Sequence, residues 1–358
     1  MQDAPASPTP AAAVRSAFGA ALAGFRRDAG PVLVMGHNDA DGLSAAAIFL
    51  RALRGAGWEA RPRILGRGEN PWSEAMAAEL AGGDFAGIVA TDLGVRAGAI
   101  KPGTPTVVVD HHVPAGTPDA ATVITGHGFD PIPTSSLLAW WCAGALGEAE
   151  PLLWLAAVGL IGDMAEKAGF AEMEEARRTY GVTRLRDAVT LLNAPRRTAS
   201  GDPAPALALL LKADGPKEVT SGEHAETAAL LAAREEVKAA LDAAKRVGPV
   251  VRDGVALVRF HSPCQIHPLV AQAWRGRLKD NIVLAANTGY RPGWVHFAAR
   301  AARDVDLIRF LAEHAPPGAD ENYGSGHRAA TGGALRPADW NHFITGLGFG
   351  PDQQVQAA

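Results

Sequence analysis

Apolar residues in the first half of the chain fall into short dense runs separated by looser, helix-spaced stretches. The runs "PVLVMG" (31–36), "EARPRIL" (59–65), "AGIVATD" (86–92) and "TPTVVVD" (104–110) each predict a buried strand. Between them, Leu43–Leu53 and Trp72–Leu80 carry helical spacing. Strands alternating with helices predict a parallel sheet covered by helices. Three of the four runs end in an acid or lead directly into one. In open α/β sheets the carboxyl ends of the strands line the ligand crevice, so these acids are expected to converge.

A mostly helical stretch follows, from Ser135 to about Leu211, in which "PLLWLAAVGLIGDM" (151–164) is an apolar helix whose end delivers Asp163. The segment 221–246, "SGEHAETAALLAAREEVKAALDAAKR", predicts one long amphipathic helix capped by Ser221. Beyond it, "GPVVRDGVALVRF" predicts a hairpin, "NIVLAANTGYRPGWVHFAARAA" two strands around a turn, and "DVDLIRFLAEH" and "PADWNHFITGL" helices. The expected fold class is α/β, with an N-terminal parallel-sheet domain and a smaller C-terminal α/β domain joined by a helical connector. The expected boundaries are 1–30 for a tail and helix, 31–195 for the first domain, 196–246 for the linker, 247–345 for the second domain and 346–358 for a tail.

Composition narrows the class. The 358 residues suit two domains, and 47% hydrophobic with 20% charged residues describes a globular chain, not a disordered one. Cys142 and Cys264 are too few for a disulfide framework or a thiolate metal site, and fit a reducing cytoplasm. The opening "MQDAPASPTPAAAV" lacks the charged and apolar regions of a signal peptide, and no stretch is apolar enough to span a membrane. The net charge of −4 is uneven: from Val247 onward there are 11 basic and 9 acidic residues, leaving an acidic first part. That argues against a broad polyanion-coating surface while leaving room for a narrow basic groove.

Four short motifs sit at the carboxyl ends of these elements: "HNDADG" (37–42), "TDLG" (91–94), "DHH" (110–112) and "GD" (162–163). Alone, each has an ordinary explanation as a turn, a cap or a surface histidine. Together they would place Asp39, Asp41, Asp92 and Asp163 in one cleft, where about four unpaired negative charges repel and raise one another's pKa values. Two divalent cations would neutralise them. Carboxylates with imidazole and no thiolate suit Mn²⁺ or Mg²⁺, and His37 with His111 tilts the choice to Mn²⁺.

These motifs, in this order, resemble the four motifs of the DHH phosphoesterase superfamily. "GSGHRAATGG" (324–333) resembles the glycine-rich motif of its associated C-terminal domain, with Ser325 where the family has glycine. The H-x-D-x-D-G form is closer to RecJ-type exonucleases than to nanoRNases. The resemblance runs from about Pro31 to Leu335 and implies a catalytic first domain and a substrate-binding second domain.

It implies His37, Asp39 and Asp92 around one metal, and Asp41, Asp92, His111 and Asp163 around the other. His112 would face the scissile phosphate and Asp110 would orient the histidine pair. Arg300, at a strand end, and the loop holding Gly324, Gly326, His327 and Arg328 would contact substrate phosphate. An ordinary pairing of Arg300 with Asp304 is the competing expectation.

The implied activity is a two-metal phosphodiesterase releasing 5′-mononucleotides from single-stranded DNA or RNA or short oligonucleotides. Only 23 residues follow Leu335, leaving no room for a further strand-gripping domain, which favours short substrates. The alternatives are a small-nucleotide phosphatase, a cyclic-dinucleotide phosphodiesterase, a soluble pyrophosphatase and, in another class, a non-catalytic nucleic-acid-binding scaffold. Oligomeric state is not legible in the sequence.

Overall fold

The computed structural model describes residues 9–320 and 323–356, with the side chains of 325–327 outside the description. The expected N-terminal tail lies almost wholly outside the described residues. The chain divides into two units. One comprises 1–196 and 202–231, the other 197–201 and 232–358.

The first unit opens with α1 (Pro10–Leu22), capped by the Thr9 hydroxyl. Then come β1 (Val32–Gly36), α2 (Ala40–Gly55), β2 (Ala60–Ile64), α3 (Glu74–Ala81), β3 (Gly87–Thr91), β4 (Thr106–Asp110) and β5 (Ala121–Thr125). The strands form a five-stranded sheet in the order β2-β1-β3-β4-β5, parallel throughout. All residues of β1, β3 and β4 are buried, which is why these strands read as unbroken apolar runs. The edge strand β5 escaped the sequence reading because its "ATVIT" is only partly buried and lacks such a run.

Helices α4 (Ser135–Ala143), α5 (Leu153–Gly162), α6 (Ala171–Tyr180) and α7 (Val182–Leu192) follow, then α8 (Ala204–Lys212) and α9 (Pro216–Ser221). The α5 residues Leu153–Leu160 are all buried, among α2, α4 and α7. A helix apolar on every face belongs in a core, and each buried Leu or Val contributes roughly 1.5–3 kcal/mol.

The long connector helix differs from expectation. Ser221 ends α9, and Gly222 in the left-handed region (φ 82°) breaks the chain before α10 (Ala225–Lys245) begins. Ser221 is therefore not its cap.

The second unit holds β6 (Val250–Arg252), β7 (Val255–Phe260), α11 (His267–Arg275), β8 (Ile282–Asn287), β9 (Val295–Ala301), α12 (Leu307–Glu313), β10 (Ser325–His327), β11 (Ala330–Leu335) and α13 (Pro337–Gly346). Its sheet runs β10-β11-β9-β8-β7-β6, with β7 and β8 parallel and the other pairs antiparallel. The hairpin and the two strands around a turn form as the sequence predicts.

The segment expected as a C-terminal tail instead packs on this unit. Leu347 and Phe349 are buried, and Asn341 exchanges two hydrogen bonds with the Val355 backbone. No helix among the described residues is long and apolar enough to cross a membrane.

Candidate metal centre

Strands β1, β3 and β4 are adjacent and parallel, so their carboxyl ends open on one edge. From that edge rise His37, Asp39 and Asp41 after β1, Asp92 after β3, and Asp110, His111 and His112 at the end of β4. Asp163 joins them as the residue capping the C-terminus of α5. His37 Nδ1 lies 3.0 Å from Asp39 Oδ2 and 3.6 Å from Asp92 Oδ2. His111 Nε2 lies 3.1 Å from Asp163 Oδ2 and 3.6 Å from Asp92 Oδ1. Asp92 thus stands between the two imidazoles, in the left-handed backbone region (φ 61°) that an aspartate tolerates better than most residues.

Asp41 is buried, 1% exposed, in the first turn of α2. The N-terminus of α4 satisfies it: the Ser135 and Ser136 amides donate to Asp41 Oδ2 and Oδ1 at 2.9 and 3.0 Å. The positive end of a helix dipole favours such a carboxylate. The Ser135 hydroxyl also donates to Asp92 Oδ1 at 3.0 Å, and Thr134 caps α4 through Leu137 N. Ser135 and Ser136 were not singled out from the sequence. The available signal was "TSS" before an apolar helix, which predicts a cap but not what it holds. Arg196 Nη1, 2.9 Å from Asp39 Oδ2, was likewise missed.

Asp110 is fully buried and holds His112, not the histidine pair. Its Oδ1 accepts the His112 amide at 2.8 Å and faces His112 Nδ1 at 2.9 Å, while Oδ2 accepts from Gly94 N at 2.7 Å.

Titration follows this crowding. Burial opposes charge on His37, but Asp39 and Asp92 outweigh it and push its pKa up to about 10. Burial likewise opposes charge on His111, and Asp163, Asp92 and Asp41 push it to about 11. Burial, and then the charges of Asp92 and Asp163, hold Asp41 well above the usual carboxylate range. Burial also disfavours charge on Asp39, yet His37 and Arg196 take it well below that range. Without a cation, protons on two imidazoles serve as the positive charges that the carboxylates require.

The donors fit a metal. Among the described residues, His37–Asp39–Asp92, Asp41–His111–Asp163 and Asp92–His111–His112 each bring ligand atoms within 4.8 Å of one another. His111 Nε2 is buried and makes no well-directed hydrogen bond despite its carboxylate neighbours. A nitrogen held in this way, among oxygens only, is suited to coordinating a hard cation.

The second-unit residues expected at substrate are described by themselves. Arg300 is half-buried and donates to the Ala299 and Thr331 carbonyls. It does not pair with Asp304, which pairs with the exposed Arg328 at 3.2 Å. The glycine-rich stretch is not a loop but the β10–β11 hairpin, with Arg328 in its turn. Gly332 there has a structural reason: a Cβ would come 2.3 Å from the Phe297 carbonyl on β9. Gly324 adopts φ 75° before β10. Of Gly326 and His327, only the strand backbone falls within the description.

The architecture and the rim cluster define an α/β protein with a carboxylate–imidazole cluster at one sheet edge that could hold a metal. No family model matches the chain. Over 161 residues it is 31% identical to the single-stranded-DNA-specific exonuclease RecJ of Thermus thermophilus, a match spanning 39% of this chain and 23% of that protein. Exonuclease RecJ bound to manganese aligns with a TM-score of 0.65 at 22% identity, over 95% of both chains. The RecJ of Thermus thermophilus in complex with Mn²⁺ aligns at 0.66 and 21% identity, over 98% of this chain and 56% of that one. The fold is similar to that of RecJ, and a DHH-domain protein aligns with a TM-score of 0.62 at 16% identity over 94% of this chain and 89% of that one.

Proposed function

We propose that this chain is a metal-dependent phosphodiesterase that hydrolyses single-stranded nucleic-acid ends or short oligonucleotides to 5′-mononucleotides, using two Mn²⁺ ions, with Mg²⁺ as the alternative. The observation that carries this reading is the meeting of the His37–Asp39–Asp92 and Asp41–His111–Asp163 donor groups at one sheet edge. The curated RecJ relative and the manganese-bound RecJ structures support it.

His37, Asp39 and Asp92 would hold one ion, and Asp41, Asp92, His111 and Asp163 the other, with Asp92 common to both. Bound divalent cations supply Lewis acidity and a more acidic water for attack at phosphorus. The Ser135 and Ser136 amides and the Ser135 hydroxyl keep Asp41 and Asp92 aimed. Asp110 fixes His112 through Nδ1 and raises its pKa above the usual value, despite burial. Nε2–H then points away from Asp110 and can stabilise developing charge or protonate the leaving oxygen. In the second unit, Arg300, Arg328 and the hairpin bearing Gly324, Gly326 and His327 would contact substrate phosphates.

The test is a Mn²⁺-dependent assay over end-labelled single-stranded DNA and RNA of graded length, cyclic dinucleotides and bisphosphate nucleotides. The wild type is expected to release 5′-mononucleotides from single strands, and Asp92→Ala to release none. Equal rates for the two proteins would overturn the reading.

A further inference from the structure

Among the described residues, the most exposed large apolar side chains are Met164, Val113 and Ile132, at 91%, 72% and 47%. In sequence each lies next to or near a residue of the site. Met164 directly follows Asp163, Val113 directly follows His112, and Ile132 lies three residues before Ser135. Apolar side chains left bare beside a cluster of charges are expected where a ligand covers them.

Met164 carries a second anomaly. It is the residue after the C-cap of α5, with its amide bonded to Ile161 O at 3.1 Å and the Ala165 amide to Leu160 O at 2.8 Å. Its φ is 62°, the left-handed conformation that usually selects glycine at this place in a helix-terminating turn. The chain accepts backbone strain to place a long apolar side chain where it gains no burial. The fold does not require that side chain.

We infer that Met164 and Val113 form an apolar platform for the nucleobase next to the phosphate held at the metal centre. This rests on the phosphodiesterase reading and adds to it a subsite for the base. A thioether packs well against an aromatic face or edge, and the exposed Val113 adds further apolar surface next to His112 in sequence. Such contacts recognise a base without distinguishing its identity, because every base offers a π-face. The platform therefore contributes affinity for nucleotides as a class.

The test compares the KM of a dinucleotide with that of the same dinucleotide lacking its bases. The wild type is expected to prefer the base-bearing substrate by about 2–10-fold, and Met164→Ala with Val113→Ala to lose most of that ratio. Met164→Leu should retain it. Met164→Gly separates function from folding: glycine relieves the left-handed strain and raises the melting temperature, yet the base preference is lost. An unchanged ratio in the double variant, or no preference in the wild type, overturns the platform and leaves a protein or other partner as the occupant of this surface. If the wild type cleaves neither dinucleotide, the phosphodiesterase reading fails and the platform with it, an outcome distinct from turnover without base preference.

Discussion

Ser135 binds two carboxylates at once: its amide donates to Asp41 Oδ2 at 2.9 Å and its hydroxyl to Asp92 Oδ1 at 3.0 Å. Asp41 comes from the start of α2 and Asp92 from the end of β3, so one residue of α4 ties together two elements far apart in sequence. Both contacts donate to carboxylate oxygens and so fix where those oxygens point.

Ser135→Ala keeps the amide contact and removes the hydroxyl one. Loss of a group that orients a metal ligand typically costs about 10–100-fold in metal affinity. A fall of about tenfold in Mn²⁺ affinity by calorimetry is expected, with the melting temperature of the metal-free protein little changed. Unchanged affinity would show that Asp92 needs no such support.

Gly159 on α5 leaves room for the same arrangement. A Cβ there would come 1.9 Å from Ser136 Oγ and 2.2 Å from Asp41 Oδ1, closer than atoms can approach. Gly159→Ala must displace Ser136 or Asp41, and overpacking of a filled interior costs about 1–3 kcal/mol. Chemical denaturation should show a loss of that size together with weakened metal binding. A fully stable variant that binds Mn²⁺ normally would exclude this account of the contact.

Metal binding should release protons. His37 and His111 are pushed up to about 10 and 11 by carboxylates that outweigh burial, so both rings are protonated at neutral pH in the metal-free protein. A cation must displace those protons. Apparent Mn²⁺ affinity should therefore fall as pH falls, and calorimetry in buffers of differing ionisation enthalpy should register the protons released. Binding enthalpy independent of buffer would contradict the protonated imidazoles.

In the second unit, burial, and then the nearby His296, Arg197 and Arg300, depress His267 to about 3. An unfolded histidine titrates near about 6.5. Between these values the unfolded chain binds more protons than the folded one, so stability rises with pH through that window and is lost as pH falls through it. Urea melts at about pH 7 and about pH 5, one above and one inside that window, should differ more for the wild type than for His267→Gln. Equal differences would mean that the ring is protonated inside the fold.

The local patterns foretold most of the elements. Fully buried strands such as β4 must be unbroken apolar runs, and an all-apolar helix such as α5 has nowhere to lie but in a core. The acids at strand ends were legible for the same reason, because a parallel sheet sends successive carboxyl ends to one edge. Three features did not follow from pattern. β5 lies at a sheet edge, where partial burial blurs its signal. The break at Gly222 interrupts a sequence with helical spacing on both sides. The glycine-rich "GSGHRAATGG" was read as a loop because glycine permits a tight approach to either a ligand or a neighbouring strand, and only the position of Phe297 distinguishes them.

By itself the sequence determined which side chains could form a metal centre, since their types, order and places after apolar runs are local properties of the chain. Tertiary structure decided what holds the acids among them: Ser135 and Ser136 for Asp41, and Arg196 for Asp39. Hydrogen bonds and charges act over a few ångströms in space whatever the distance along the chain, so partners separated by many tens of residues are chosen by packing and leave no periodic mark.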